Sequence, residues 1–99
     1  MNMAALIGEV ASPVEVDGDD GARFSLAVAR RGGSDAEQVD VHASGAQAAA
    51  CRAYLRPGHR VAVEGWVAPG ALPAEVVAER IQFLTTRAEA EAMADAAGT

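Results

Sequence analysis

ASGAQAAACRAYLRPGHRVAVEGWV, the stretch from Ala43 to Val67, decides the fold of this chain. A strand ends at the Ser44-Gly45 break, and an alanine-rich helix follows from about Ala46 to Arg56. Pro57-Gly58 stops that helix, because proline cannot continue it and glycine accepts the left-handed backbone of the exit. From His59 to Val67 the chain resumes as a strand, with Val61, Val63, Gly65 and Val67 on one face. Strand, short helix and strand, joined by a Pro-Gly corner, form a unit that needs further strands to close against.

The flanks supply them. Met1 to Val10 reads as a first strand, with Ala5 and Ile7 facing one way and Leu6 and Val10 the other. Gly8 within it marks a bend or a close approach of another backbone. Ala11 to Ala22 reads as a connection containing Pro13 and the acidic turn Asp17 to Gly21. Those aspartates do not fit a twelve-residue calcium loop, and no closing glutamate follows. Arg23 to Arg31 alternates cleanly, with Phe24, Leu26 and Val28 inward, and Gly32 to Asp35 is a flexible turn. Glu37 to Ser44 is the third strand, with Val39, Val41 and Ala43 inward and Gln38, Asp40, His42 and Ser44 outward. After the fourth strand comes a short Pro/Gly loop, Ala68 to Pro73, and then a fifth strand, Glu75 to Leu84. Thr86-Arg87-Ala88-Glu89 has the form of a capping box, opening a short helix as far as Ala97. The expectation is an all-β fold: a five-stranded OB-fold barrel over residues 1–84, with one helix between the third and fourth strands plugging an end. Residues 85–99 form a helical tail.

Composition narrows the function. At 99 residues the chain is one domain with a modest core. Its net charge is −6, unusual for a protein that grips phosphates. There is no lysine, and all eight basic residues are arginine. Cys51 is the only cysteine and reads as a small buried hydrophobe in the helix. One Cys and two His fall short of a tetrahedral metal set, so no metal or cofactor is expected. With no acid–base pair in a motif and no phosphate loop, an enzyme has no support. No apolar run approaches the roughly 20 residues that span a bilayer. No basic flank precedes a long apolar stretch at the N-terminus, and a cytoplasmic protein without membrane contact is expected.

Four segments, in order, resemble the bacterial single-stranded DNA-binding protein family. They are Asn2 with Leu6-Ile7-Gly8, then Arg23-Phe24-Ser25-Leu26-Ala27-Val28, then Tyr54-Leu55-Arg56-Pro57-Gly58 with Arg60 to Gly65, and finally Glu75 to Leu84. The resemblance implies non-sequence-specific binding of single-stranded DNA in replication, recombination and repair. It further implies a homo-oligomer, dimer or tetramer, or a hetero-oligomer with a full-length relative. Members of the family stack bases on aromatic side chains projecting from the barrel. Here the corresponding third-strand positions fall on Gln38 and Ser44, and the position ending the second strand falls on Gly32. Glu9 stands where a basic or neutral residue is common, and the hairpin between strands four and five is cut to Ala68 to Ala74. Each platform is worth about 1–3 kcal/mol, so losing two weakens binding by roughly 10²- to 10⁴-fold. Longer members end in an acidic tip with proline and phenylalanine that recruits partners. This sequence ends Asp95-Ala96-Ala97-Gly98-Thr99, so recruitment by that route is not expected.

The candidate contacts are therefore Trp66, Arg30, Arg31, His42, Arg60 and Arg56. Trp66 faces outward on the fourth strand, as a stacking platform or as cover for a subunit interface. Arg30 and Arg31 close the second strand, where a phosphate contact competes with ordinary solvation. His42 can stack on or hydrogen-bond a base, or simply be a surface histidine. Arg56 and Arg60, with Arg23, Arg52 and Arg80, are weaker candidates, because Asp40, Glu64 and Glu79 can pair with some of them. Tyr54, Phe24 and Phe83 read as core. The other reading of the whole is a degenerate paralogue, a structural or interaction subunit that no longer binds nucleic acid.

Overall fold

The valine alternation around Gly65 becomes a strand, β5 (Arg60–Ala68), whose inward positions Val61, Val63 and Gly65 are buried while Glu64 and Trp66 face out. The computed structural model describes residues 3–29, 35–72 and 74–97. Along the chain the other elements are β1 (Met3–Val10), β2 (Glu15–Asp17), β3 (Gly21–Ala29), β4 (Ala36–Ser44), α1 (Gly45–Tyr54), β6 (Ala74–Phe83) and α2 (Arg87–Ala97).

The strands pair in the order β1-β5-β6-β4-β3, and β1 returns to β3 through Glu9↔Ala27 and Val10↔Leu26 to close the ring. Every contact is antiparallel except β4–β6, where Val39 to His42 run parallel to Ala74 to Val77. Five strands make the expected OB-fold barrel. The sixth, β2, lies within Ala11 to Ala22, where the sequence predicts only a connection. β2 pairs through Glu15 to Asp17 with the first residues of β3, on the same β3 edge that β1 occupies further along. All three β2 residues are exposed, so no burial alternation announced it.

Gly8 is the predicted close approach. A Cβ there would stand 2.5 Å from the Ala27 carbonyl oxygen, so only glycine lets β1 reach β3. Inside the barrel, Val10, Phe24, Leu26, Val41, Val61, Val63 and Val76 form the core, and Ala48, Cys51 and Leu55 of the helical segment close one end.

α1 ends at Tyr54, two residues earlier than the sequence predicted. Leu55 turns extended (φ −81°, ψ 133°) and buries its side chain in the core. Arg56 precedes proline, which disfavours helical backbone at that position. Its guanidinium instead caps the freed carbonyls, donating to Leu55 O at 2.8 Å and Ala53 O at 3.2 Å. Gly58 then makes the corner at φ 93°.

The capping box of α2 is formed. Thr86 N–H donates to Glu89 Oε1 at 3.0 Å, and Glu89 N–H donates to Thr86 Oγ1 at 3.1 Å.

Two aromatic expectations are corrected. Tyr54 is 71% exposed and Phe83 39% exposed, whereas Phe24 is core as read. On α1 the buried positions Ala48 and Cys51 follow the helical period, Leu55 just beyond the helix is buried with them, and Tyr54 stands off that stripe. Phe83 does lie opposite inward-facing Val61, but at the end of the barrel, where the inner face opens to solvent.

Candidate nucleic-acid interface

Strand register assembles an outward row across the barrel wall. Met3 lies opposite Trp66, Trp66 opposite Val77, Val77 opposite His42, His42 opposite Arg23, and Arg23 opposite Glu15. Two of the predicted contacts, Trp66 and His42, therefore share one row with a single strand between them, about 10 Å apart at 4.8 Å per strand. Met3, Trp66 and Val77 give the row an exposed apolar half.

The Trp66 ring is positioned by a defect in β6. Glu64 pairs with Arg80 but Gly65 pairs with Ala78, leaving Glu79 as an extra residue in a bulge. A Cβ on Gly65 would collide with the Val77 carbonyl oxygen, so the bulged strand requires glycine opposite it. Gln47 reaches across from α1 to satisfy the backbone on either side of Glu79. Its amide donates to Glu79 O at 2.7 Å and accepts from Ile81 N–H at 2.5 Å. The Glu79 carboxylate, pointed outward, accepts from Trp66 Nε1–H at 2.5 Å. With its edge held, the indole is 38% exposed.

The other half of the row is charged, and its groups are occupied with one another. His42 Nδ1 lies 3.1 Å from Asp17 Oδ2, while Nε2 faces Glu75 Oε2 at 3.9 Å without a hydrogen bond. Arg23 Nη2 donates to Glu15 Oε2 at 3.2 Å, and this bond holds its guanidinium pKa above the ordinary arginine value. Ser25 Oγ donates to Asp40 Oδ1 at 3.3 Å. Four carboxylates, on Glu15, Asp17, Asp40 and Glu75, thus lie around Arg23 and His42, while Glu79 holds Trp66. A phosphate approaching this wall meets net negative charge.

The remaining sequence candidates divide. Arg30 and Arg31, with Gly32, lie outside the described residues. Arg56 is spent on α1 carbonyls, and Arg52 ties α1 to the barrel by donating to Gly21 O at 2.8 Å. Arg60 begins β5 at the opposite end from Trp66 and is exposed. Arg80 is exposed on β6 opposite Glu64. Gln38 and Ser44 face outward on β4, opposite Ala27 and Gly21, so those two wall positions carry no ring.

Sequence reasoning missed a second gathering of residues. At the α1 end of the barrel, Tyr54, His59, Arg60, Phe83 and Arg87 line a cleft of about 480 Å³ over Leu55. A second cleft of about 600 Å³ adjoins it, sharing Tyr54, His59, Arg87 and Ala90 and bordered further by Arg56, Pro57, Glu91 and Met93. The signal was present but dispersed, because these residues come from four separate segments.

Cys51 is buried, and burial pushes its thiol pKa up. Among the described residues no group of three or more His, Cys, Asp and Glu side chains is placed to hold a metal ion. No helix among them is long and apolar enough to cross a membrane.

No protein-family model matches the chain, and no curated protein matches it significantly in sequence. Solved structures do match. A small single-stranded DNA-binding protein from Streptomyces coelicolor superposes with a TM-score of 0.70 at 26% identity, covering 84% of this chain and 94% of that one. The mitochondrial single-stranded DNA-binding protein Rim1 of S. cerevisiae gives 0.72 at 19% identity, over 84% and 93%. A dimeric structure of the N-terminal domain of PriB from Thermoanaerobacter tencongensis gives 0.65 at 22% identity, over 86% and 98%. At 84%, the matched share has about the length of the chain up to the end of β6.

Proposed function

We propose that this chain, whose fold is similar to that of a small bacterial single-stranded DNA-binding protein, binds single-stranded DNA weakly and without sequence preference. The observation that carries the proposal is Trp66, an exposed indole held edge-on by Glu79 on the outer wall of the barrel. A ring fixed in this way stacks any base, because every base has a π-face. Weakness follows from the carboxylates around His42 and from ringless Gln38 and Ser44. Affinity then falls in about the 10⁻⁴–10⁻⁶ M range of non-specific binding at physiological salt. The setting is cytoplasmic DNA replication, recombination or repair, with residues 1–84 as the binding unit and residues 85–99 appended.

Fluorescence anisotropy of labelled oligo-dT, compared with a duplex of equal length, tests this. Saturable binding of oligo-dT that weakens with salt supports the proposal. Equal binding of the duplex, or none of either at low salt, sinks it.

A second reading rests on a different observation. Met3, Ile7, Trp66 and Val77 form an exposed apolar surface on the outer wall, and the β1 edge from Met3 to Gly8 lies beyond its pairing with β3. That surface suits a second copy of the chain, or a full-length relative, and this reading makes the chain a structural subunit. The two readings differ in what happens to Trp66 on dilution. An interface releases it to solvent as the oligomer dissociates, whereas a wall platform keeps its emission.

A further inference from the structure

We propose that the groove between α1, the end of β6 and α2 is a second single-strand contact, where a base stacks on Tyr54 and flanking phosphates meet Arg60 and Arg87. The inference rests on the single-strand-binding reading and gives it a site unlike the Trp66 wall. Two of the three exposed aromatic residues in the described structure, Tyr54 and Phe83, line the same cleft. Arg60, Arg87 and His59 line it with them, and no carboxylate does. Aromatic faces interleaved with cations are what unstacked bases and their phosphates require. Around Arg23 and His42 on the outer wall, by contrast, carboxylates outnumber the cations.

Geometry suits the role. At about 480 Å³ the cleft falls within the roughly 300–1,000 Å³ of ligand sites. Arg60 is exposed, and its backbone is fixed by Thr85 Oγ1, which accepts from Arg60 N–H at 2.7 Å. Among the described residues Arg87 pairs with Glu91 at 3.4 Å, across a solvent-exposed helical turn that a phosphate can displace. α2 leans on the corner through Met93, whose Cε lies where a Gly58 Cβ would point, and this contact places the helix beside the cleft. Arg60 and Trp66 stand six residues apart on β5, about 20 Å at 3.3 Å per residue, so one strand can reach both.

The test is anisotropy of labelled oligo-dT with the full chain and with Tyr54→Ala, Tyr54→Phe, Arg60→Ala and Trp66→Ala, each checked for folding by circular dichroism. Tyr54→Ala is expected to raise Kd about 5- to 150-fold, and Tyr54→Phe to stay near the parent. Arg60→Ala is expected to flatten the log–log salt slope by about 0.7. If the parent binds and only Trp66→Ala weakens it, the groove contact is refuted while single-strand binding stands. If the parent does not bind at low salt, both fall together. Parent-like affinity in Tyr54→Ala and Arg60→Ala refutes the groove contact even if the cleft proves to hold a protein.

Discussion

Replacing Gln47 with alanine removes one amide that closes two backbone groups beside the Glu79 bulge. In the parent, Gln47 donates to Glu79 O at 2.7 Å and accepts from Ile81 N–H at 2.5 Å. Helix propensity runs the other way, since alanine is the better helix former by a few tenths of a kcal/mol. Two hydrogen bonds at about 1 kcal/mol each put the net loss near 2 kcal/mol. For a domain of this size that lowers Tm by about 8–16 °C. Urea unfolding followed by Trp66 emission is the assay, read as a lower midpoint with unchanged slope. Because Glu79 carries both the bulge and the Trp66 hydrogen bond, the folded baseline of Gln47→Ala should also shift to the red. Gln47→Glu, which keeps the acceptor and loses the donor, should fall between the two. A Gln47→Ala chain as stable as the parent would refute the account of how the helix locks the wall.

Other outcomes follow from single contacts. Gly65→Ala sets a methyl against the Val77 carbonyl and should cost about 1–3 kcal/mol, read as a lower urea midpoint. An unchanged midpoint would mean the bulge is not rigid. Glu89 is held below the usual carboxylate range, chiefly by the Thr86 backbone N–H and then by its hydroxyl. A depressed carboxyl stabilises above its unfolded pKa, and that contribution is lost as pH falls through the folded value. Far-UV helicity of α2 should therefore drop on acidification below the ordinary glutamate range, and less so in Glu89→Gln. Cys51, buried with its thiol pKa raised, should react with a thiol reagent only at the rate of global opening, and immediately in denaturant.

Much of the barrel was legible because a two-residue period separates inside from outside without knowledge of partners. Phe24, Leu26, Val39, Val41, Val61 and Val63 were read inward and are buried. β2 was not legible, because three exposed residues carry no alternation. The Glu79 bulge was also hidden. It moves the inward parity of β6 from Val76 and Ala78 to Ile81, and only the partner strand reveals the extra residue. The site was legible one residue at a time. Parity alone gave the outward side chain of Trp66, but its hydrogen bond to Glu79 depends on that bulge. The Asp17 and Glu75 carboxylates around His42 depend on β2 and on a parallel pairing between strands distant in sequence. Strand parity puts Phe83 inward and the family resemblance puts Tyr54 in the core, whereas their places at the barrel mouth and the helix end leave them in solvent.

Trp66 is the only tryptophan in the chain, so its emission reports directly from the platform on which the proposed function rests. Titrating the protein with oligo-dT at low salt, while following that emission, is the most direct measurement. Stacking on Trp66 should give saturable quenching that reverses on adding salt, with a log–log slope of about 0.7 per phosphate contacted. Emission that stays constant while a labelled oligo-dT in the same cuvette is bound would contradict it, because the strand would then be held elsewhere than on Trp66.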